Sequence, residues 1–401
     1  MISMAEQPPI YLDYNATTPI DAAAAAAMTA AIPLFGNPSS SHSPGVAAKA
    51  AVDTARRQVS QLIGCEPDEL LFTSGGSEAN NHAIFGAVHA AAVAAGSGDS
   101  PLPHVVTSRI EHPAVAEPLK FLAADGRCTV SYVGVDSDGV LLLEELRAAL
   151  RPETCLVTIM FANNEVGSVQ PLAECAAAAH SVGALFHVDA AQAVGKVRCD
   201  VGELGCDLLT VVGHKFYGPK GCGALYMKGG AATAKRVTNL IFGAGHERGL
   251  RAGTENVILV SGLGAAAEAA SRGLAADAAA MQARRDELHE ALVEGLGAEG
   301  VLLNGPAERL PNTLSVSLVG VDTNELVRLL SADVCCSTGS ACHSGEHTVS
   351  ATLQAMGVGR ERALSTLRLS TGKHTTAAEV ARAAERLVAV ARELLAGKSA
   401  L

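Results

Sequence analysis

The strongest constraint on this sequence is the segment Phe186–Gly221, in which two apolar runs each end at a charged or polar side chain. The first run ends on Asp189, and the second ends just before His214 and Lys215. If the two runs form neighbouring buried strands, they bring a carboxylate and a lysine into one pocket. That pairing suits a pyridoxal cofactor, with Lys215 as the Schiff-base amine and Asp189 as the partner of the ring nitrogen.

Strands and helices alternate at short spacing from residue 70 to residue 215. This alternation predicts an α/β fold with a mostly parallel sheet that has helices on both faces. In such sheets, ligands bind outside the carboxyl ends of the strands. Several candidate residues follow predicted strands in this way, namely Gly76, Ser77, His112, Asn164, Asp189 and Lys215. The sequence therefore predicts one site at a single edge of the sheet.

Taken alone, each of these candidates also has an ordinary structural explanation. Gly76 and Ser77 open a helix after a glycine turn, which either directs backbone N–H groups at an anion or simply begins the helix. His112 could act as a base, stack on a planar ring, or form only local hydrogen bonds. Asn164 could stabilise its own turn, or its amide could reach a ligand oxygen.

Further candidates lie in other parts of the sequence. Asn15 and Ala16 belong to a polar segment that either lines a pocket or merely forms a turn. Gln192, one helical turn after the aspartate, could donate to the ring hydroxyl, and His214 could help to hold the phosphate. Arg368 alternates with leucines on a predicted strand, where it could clamp a substrate carboxylate through two parallel hydrogen bonds or lie exposed.

Cys342 lies in a predicted polar, glycine-containing loop over residues 337–348. Because no apolar run surrounds it, a nucleophilic thiol is favoured over a buried structural cysteine. A metal site is a third possibility, formed by Cys335, Cys336, Cys342, His343 and His347. No C-x-x-C pair or regular ligand spacing occurs there, so the sequence predicts no metal site.

Composition limits the class of protein. The 401 residues are 48% hydrophobic and 18% charged, as expected for a globular chain of two or three domains. The net charge of -11 offers no electrostatic basis for binding nucleic acid. No apolar run approaches the roughly 20 residues of a membrane span, and residues 1–10 lack the features of a signal peptide. Most of the ten cysteines sit in apolar runs, so we expect a cytoplasmic protein.

The second half of the chain is predicted to build another domain. Gly221–Met227 is expected to be a strand of different orientation, and Phe242–Asn256 is glycine-rich and unlike a core segment. A long helix, Val257–Leu296, is predicted to bridge to the second domain, with a break near Gly273.

The motifs occur together in one known family. YLDYNATTP, FTSGGSEANN, EHPAV, ANNEVG, HVDAAQ, GHKFYGPKG, RAGTEN, STGSAC and RLSTG follow one another in family order over nearly the whole chain. The chain resembles the cysteine desulfurases and selenocysteine lyases, which belong to the class V aminotransferase group of pyridoxal-phosphate enzymes. Its GSAC motif is similar to that of the branch with a long mobile cysteine loop.

The resemblance implies the type I fold of pyridoxal-phosphate-dependent transferases. A large domain, residues 16–260, would carry a mostly parallel seven-stranded sheet. A smaller α+β domain, residues 1–15 with 261–401, would carry the catalytic cysteine loop.

The resemblance also implies roles at the cofactor. Lys215 would carry pyridoxal 5′-phosphate, Asp189 and Gln192 would contact the ring, and His112 would stack on it and assist proton transfer. The phosphate would be held by Gly76, Ser77, His214 and, from the partner subunit of a homodimer, Thr254. Asn164 would also contact the cofactor.

For the substrate, the resemblance implies binding by Asn15, Ala16, Asn164 and Arg368. L-cysteine would become L-alanine, and Cys342 would take the sulfur as a persulfide for a sulfur-acceptor or scaffold protein, as in iron–sulfur cluster assembly. The alternatives are a selenocysteine lyase, a plain aminotransferase that does not need the cysteine, and an inactive sulfur-relay scaffold.

Two departures from the family pattern leave the substrate open. Val212 stands where many desulfurases have Ser or Thr, so one hydroxyl contact to the phosphate is missing. The sequence Ala-Cys-His-Ser around Cys342 is similar to the selenocysteine lyases. In contrast, Pro113 after Glu111-His112 follows the desulfurases, because animal selenocysteine lyases usually have Asp there.

Overall fold

The computed structural model describes residues 8–96, 100–230, 232–338, 340–343 and 346–399, without the side chains of residues 340–343, 346–348 and 398–399. Its strands are β1 Ile10–Tyr11, β2 Leu70–Thr73, β3 His104–Ser108, β4 Thr129–Val133, β5 Thr154–Met160, β6 Leu185–Asp189, β7 Leu208–Val212, β8 Gly223–Met227, β9 Val301–Leu303, β10 Thr313–Leu318, β11 Val334–Cys335, β12 Ser337–Thr338, β13 Ser340–His343, β14 Glu346–Val349 and β15 Thr366–Ser370.

Helices connect most of these strands. They are α1 Ala22–Ala31, α2 Ser43–Ile63, α3 Gly76–Ala95, α4 Pro113–Ala124, α5 Leu143–Ala149, α6 Leu172–Ser181, α7 Val201–Leu204, α8 Val257–Leu296, α9 Thr323–Leu330, α10 Ala351–Ala355, α11 Arg360–Leu364 and α12 Ala377–Ser399.

A central sheet has seven strands in the order β2-β8-β7-β6-β5-β3-β4. β8 is antiparallel to both of its neighbours, and the other neighbouring pairs are parallel. Every residue of β6 and β7 is buried, because helices cover both faces of the sheet. The predictions of a mostly parallel α/β sheet and of a differently oriented strand before residue 227 are confirmed.

The register of β6 and β7 decides where the two key side chains lie. Asp189, the last residue of β6, pairs with Thr210 of β7. β7 ends two residues later, and a short 3₁₀ turn, Gly213–Lys215, follows at once. Since parallel strands end at the same edge of a sheet, the aspartate and the lysine come to lie side by side at the carboxyl edge.

A second, antiparallel sheet has the order β12-β15-β10-β9. Leu314 and Val316 of β10 and Leu367 and Leu369 of β15 are buried in its core. The N-terminal strand β1 pairs with β11 next to this sheet, so the two ends of the chain pack together.

The helix α8 is continuous over 40 residues, so the predicted break near Gly273 is wrong. Val260 and Leu263 pack into the core of the central sheet, whereas Leu288 and Leu292 pack into the core of the second sheet. A glycine inside a helix costs only about 1 kcal/mol relative to alanine, and packing of both halves outweighs that cost. Of the described helices, α8 alone is long and apolar enough to cross a membrane, a property that a core helix shares.

The described residues of the segment 337–348 form strands and not the loop that the sequence predicts. Ser337 and Thr338 form β12 at the edge of the second sheet, and β13 and β14 form an antiparallel hairpin. Backbone hydrogen bonding within the hairpin does not require apolar side chains, which explains why the apolar pattern of the sequence gave no sign of it.

Candidate active site

A cavity of about 290 Å³ lies at the carboxyl edge of the central sheet. It is lined by Gly76, Ser77, Asn80, His112, Ala114, Met160, Ala162, Asn164, Asp189, Ala191, Gln192, Val212, His214 and Lys215. The structure therefore brings together, in one cavity, every candidate that the sequence puts behind a strand of this sheet.

The carboxylate of Asp189 is held in place at the floor of the cavity. It is buried, one oxygen accepts a hydrogen bond from Asn80 Nδ2 at 2.7 Å, and the other accepts from the backbone N–H of Ala191 at 3.0 Å. The Oδ1 atom of Asn80 is buried and has no hydrogen-bond partner among the described residues. Sequence analysis missed Asn80, although it follows Ser77 by three residues and therefore lies on the same side of α3.

The amine of Lys215 is held by backbone carbonyls. Its Nζ donates to the carbonyl oxygens of Asn15 at 2.6 Å and Ala16 at 2.9 Å. Burial, together with the positive charge of Arg368, lowers the pKa of Lys215 to about 8. A lysine with a lowered pKa has a larger neutral fraction, which is the form that attacks a carbonyl carbon.

Asn15 takes part in the site through its backbone. Its buried side chain donates to the carbonyl of Asn164 at 3.0 Å and to Thr313 Oγ1 at 2.8 Å, and it accepts from Asn312 at 2.9 Å. Its side chain is thus engaged in joining the two sheets. Its carbonyl accepts from Lys215 and, at 3.0 Å, from Gln192 Nε2. Substrate contact by Asn15 and Ala16 stays a prediction.

Two histidines line the cavity and are held in different ways. His112 is the N-cap of α4, where its Nδ1 accepts from the backbone N–H of Ala114 at 3.1 Å. Desolvation lowers the pKa of His112. His214 Nδ1 lies 3.1 Å from Thr17 Oγ1, and burial with the charge of Lys215 lowers the pKa of His214 to about 4. Both rings are therefore neutral at neutral pH.

Gly76 and Ser77 begin α3 after the two residues that follow the end of β2, and both line the cavity. The first N–H groups of a helix have no partner within the helix. An anion bound there would be stabilised by these groups. A Cβ added at Gly76 would lie 2.6 Å from Val212 Cγ2, so the two residues are tightly packed. Val212 lines the cavity with methyl groups and offers no hydroxyl.

Arg368 lies on β15 of the second sheet and borders the cavity through Asn164. It forms an ion pair with Asp13 at 2.7 Å and donates to the Asn164 carbonyl at 3.3 Å. Its Nε is buried and has no hydrogen-bond partner among the described residues. Asp13 was not found from the sequence, because 355 positions separate it from its partner.

Thr254 and Cys342 are the remaining candidates from the sequence. Thr254 is exposed and lines a different cavity, of about 250 Å³, together with Glu247 and Arg251. The backbone of Cys342 pairs with that of His347 in the β13–β14 hairpin. The thiol of Cys342 lies outside the described residues. Among the side chains that are described, there is no group of three or more His, Cys, Asp or Glu that could hold a metal ion.

A fully desolvated carboxyl group lies beside His112. Glu111 Oε1 accepts from the Ser108 hydroxyl at 2.5 Å and from the Met160 backbone N–H at 3.0 Å. Its Oε2 is buried without a partner among the described residues. Burial raises the pKa of Glu111 to about 8, so the group is protonated at neutral pH.

Comparison with known proteins decides the family. The model of the family described as aminotransferase class-V matches residues 10–383. The chain belongs to this family. It is 42% identical to a cysteine desulfurase IscS of Tolumonas auensis over 93% of this chain and 90% of that protein. It is also 42% identical to a selenocysteine lyase of Bos taurus over 92% of this chain and 90% of that protein.

Solved structures of class-V relatives share the architecture. A NifS-like protein superimposes with a TM-score of 0.86 at 35% identity, covering 95% of this chain and 99% of that one. A structure described as SspA in complex with cysteine has a TM-score of 0.78 at 32% identity, covering 91% and 99%. The predictions of the family and of the type I fold are confirmed.

Pyridoxal 5′-phosphate is the cofactor of this class-V chain. The residues present fit that group. A buried carboxylate, Asp189, can face a protonated ring nitrogen, and Lys215 has the lowered pKa of an imine-forming amine. The partnerless Asn80 Oδ1 beside the cavity is a polar atom that can be satisfied by a bound polar group.

Proposed function

We propose that this chain is a cysteine desulfurase, which converts L-cysteine to L-alanine and transfers the sulfur to Cys342. The observation that carries this proposal is the meeting of Asp189 and Lys215 in one cavity, at the ends of two adjacent buried strands. The similarity to a protein named cysteine desulfurase over most of both chains supports the choice of substrate.

Several residues would hold the cofactor. Lys215 Nζ would bind it covalently, and Asp189, fixed by Asn80, would keep a proton on the ring nitrogen. Gln192 would donate to the ring hydroxyl, and His112 would stack on the ring. Pyridoxal 5′-phosphate, when bound, supplies an electron sink for negative charge at the substrate Cα.

The phosphate would lie at the start of α3. Gly76, Ser77 and His214 line a cavity at this helix start, which supports binding of the phosphate by the two backbone N–H groups and the histidine side chain. We propose that Thr254 contributes from the partner subunit of a homodimer. Its exposed position outside the cavity of its own chain supports this role.

The remaining cavity groups would orient the substrate and move protons. Arg368 and Asn164 would hold the substrate carboxylate, with the buried Nε of Arg368 as an available donor. Lys215, once free of the cofactor, would take the proton from the substrate Cα. The neutral ring of His112 would assist proton transfer at the substrate.

Sulfur transfer would occur at Cys342. Its thiolate attacks the substrate sulfur, a new S–S bond forms, and the Cβ–S bond breaks with its electron pair staying on Cβ. A proton then completes the methyl group of alanine, and Cys342 is left as a persulfide. The balance is one L-cysteine and one thiol giving one L-alanine and one persulfide, with no external oxidant or reductant.

A second candidate function is that of a selenocysteine lyase. The identity of 42% to the Bos taurus protein of that name is as high as that to the desulfurase, and the Ala-Cys-His-Ser motif favours it. The same cavity would then release selenium from L-selenocysteine, with less need for Cys342.

We also propose how the chain works as a unit. Residues 16–260 would form the large domain, and residues 1–15 with 261–401 would form the small domain that presents Cys342. A sulfur-acceptor or scaffold protein would collect the persulfide sulfur. The described cysteines are all free thiols, which supports the reducing environment of the cytoplasm.

A product assay with L-cysteine and L-selenocysteine in parallel tests the function. Alanine, sulfide, selenide and keto acid are measured for the parent protein, for Cys342→Ser and for the matched control Cys335→Ser. We expect alanine from cysteine, loss of persulfide in Cys342→Ser with the cofactor still bound, and little change in Cys335→Ser.

Other outcomes would reject the proposal. A keto acid without alanine would identify an aminotransferase, and selenide without sulfide would identify a selenocysteine lyase. Full desulfuration by Cys342→Ser would rule out its role as the sulfur acceptor. A colourless protein after addition of pyridoxal phosphate would indicate an inactive scaffold.

A further inference from the structure

A buried lysine behind the cavity has no role in the chemistry described so far. Lys196 lies in the turn that follows β6 and is only 4% exposed. Its Nζ donates to Gln192 Oε1 at 2.8 Å and to the Gln192 carbonyl at 3.2 Å. No ion pair of the described residues includes Lys196. A buried lysine without a carboxylate partner is unusual, because burial of an unpaired charge is costly.

The contact determines the orientation of the Gln192 side chain. An ammonium group has three donors and no acceptor, so it pairs with the amide oxygen and not with the amide nitrogen. The Nε2 group of Gln192 is thereby turned to the opposite side, where it donates to the Asn15 carbonyl at 3.0 Å. That same carbonyl accepts from Lys215 at 2.6 Å, and Gln192 lines the cavity beside Lys215.

We propose that Lys196 is a positioning residue, which holds the Gln192 carboxamide so that the Nε2 N–H not bound to Asn15 can donate to the cofactor. This inference rests on the proposed roles of Gln192 and Lys215. Without Lys196, Oε1 loses its donor and only the bond from Nε2 to the Asn15 carbonyl still orients the carboxamide. Gln192 would then be less firmly held and would stabilise negative charge on the ring hydroxyl oxygen less well.

The charges around the two lysines determine the direction of the expected effect. Lys215, Arg368 and Cys199 act on Lys196, and Arg368, Asp189 and Asp13 act on Lys215. Burial, with the charges of Lys215 and Arg368, lowers the pKa of Lys196 to about 7. Lys196 keeps N–H donors in both protonation states, so the hydrogen bond to Gln192 does not depend on its charge.

The test is a pH titration of the visible absorption band of the bound cofactor, without substrate. Lys196→Met removes the donors, frees Gln192 and removes a nearby positive charge. All three changes favour the protonated cofactor at Lys215, so we expect the midpoint to rise by about 0.5–1 pH unit. Lys235→Met, at an exposed position, is the matched control and should leave the midpoint unchanged.

A double-mutant cycle with Gln192→Ala separates positioning from a direct effect of charge. If Lys196 acts through Gln192, Lys196→Met should shift the midpoint by less than half as much when Gln192 is already alanine. Equal shifts in both backgrounds, or no shift at all, would overturn the inference.

A second variant covers the case that Lys196→Met does not fold. Lys196→Gln keeps an N–H donor, so the titration midpoint should rise by less than in Lys196→Met, and this rise should again be reduced in the Gln192→Ala background. If the effects of Lys196→Gln and Gln192→Ala on the midpoint simply add, the inference is overturned. Alanine production by the parent protein distinguishes failure of this inference from failure of the proposed function. Failure of the function appears as absent alanine, whereas failure of the inference leaves alanine production intact.

Discussion

The carboxyl edge of the central sheet and the β13–β14 hairpin differ in how they are built. Asp189 and Lys215 at the edge each form two hydrogen bonds, and at least one bond of each is to a distant part of the chain. In the part of the chain that the structure describes, the two strands of the hairpin that contains Cys342 pair with each other and with no strand of the two larger sheets. Its second strand is anchored where Val349 packs against a cluster that includes Leu353.

This difference matches the two halves of the proposed reaction, charge stabilisation at Cα and sulfur transfer, which have different requirements. Stabilising a negative charge at Cα requires groups that are already in position, which a buried sheet edge supplies. Accepting sulfur and passing it on requires a thiol that can reach two places. A two-stranded hairpin by itself is marginally stable at best. Arg368 and Asn15 connect the edge of the central sheet to the second sheet, because each forms hydrogen bonds at the border between the two.

The largest expected effect comes from Lys215→Ala. Loss of the amine should abolish the visible band of the bound cofactor and lower the rate of alanine formation by about 10⁴-fold or more. Absorbance spectra and the alanine assay measure both. Cys342→Ser should keep the band, which separates the edge from the hairpin. Lys228→Ala, an exposed control, should behave like the parent, and a retained band in Lys215→Ala would contradict the assignment.

Substitution of Arg368 should have the next largest effect. Arg368→Lys cannot bind a carboxylate through two parallel bonds while also contacting Asp13 and the Asn164 carbonyl. We expect KM for L-cysteine to rise by about 10- to 100-fold, with a smaller fall in kcat. Steady-state kinetics measure the split. Arg328→Lys, on the exposed face of α9, is the matched control. An unchanged KM would mean that the substrate carboxylate binds elsewhere.

Glu111→Gln tests whether the edge carries a protonated acid. The folded-state pKa of Glu111, about 8, lies above the ordinary value of 4.5. Its contribution to stability is therefore complete below about pH 4.5 and is lost as the pH rises through 8. Glu111→Gln should remove that loss and be more stable than the parent above pH 8, by on the order of 2 kcal/mol.

Thermal unfolding midpoints at pH 6 and pH 9 measure the effect of this substitution. Glu117→Gln, on the exposed surface of α4, is the control and should follow the parent at both values. If the thermal midpoint of the parent falls no more than that of Glu111→Gln between pH 6 and pH 9, Glu111 is ionised at neutral pH.

The smallest expected effect is at Val212. Val212→Thr keeps the shape and adds a hydroxyl at the phosphate end of the cavity, so the cofactor should bind about 2- to 10-fold more tightly. Equilibrium binding of pyridoxal phosphate to the apoprotein measures this. The side chain at position 211 points to the opposite face of the sheet, so the control Val211→Thr should not bind the cofactor more tightly. Equal affinity in Val212→Thr and the parent would place the phosphate away from β7.

Much of the site could be predicted because it depends on local patterns. Each apolar run ends where its strand ends, and parallel strands end together, so Asp189, Lys215 and His112 could be brought to one edge from sequence alone. Asn80 was within reach of the same reasoning through helical spacing. The hairpin around Cys342 could not be predicted, because its pairing is made by the backbone and leaves no periodic pattern of apolar residues.

The sequence by itself determined the alternation of strands and helices in the central sheet, the cofactor class and the pair Asp189 and Lys215. Only the tertiary structure decided which groups hold these residues in place. The packing of distant segments decides three features of the site. These are the hydrogen bond from Lys215 to the Asn15 carbonyl, the bond from Arg368 to Asp13, and the burial of Lys196 behind Gln192. Hydrogen bonds between partners 355 positions apart, such as Arg368 and Asp13, are set by the packing of whole sheets, which no local pattern encodes.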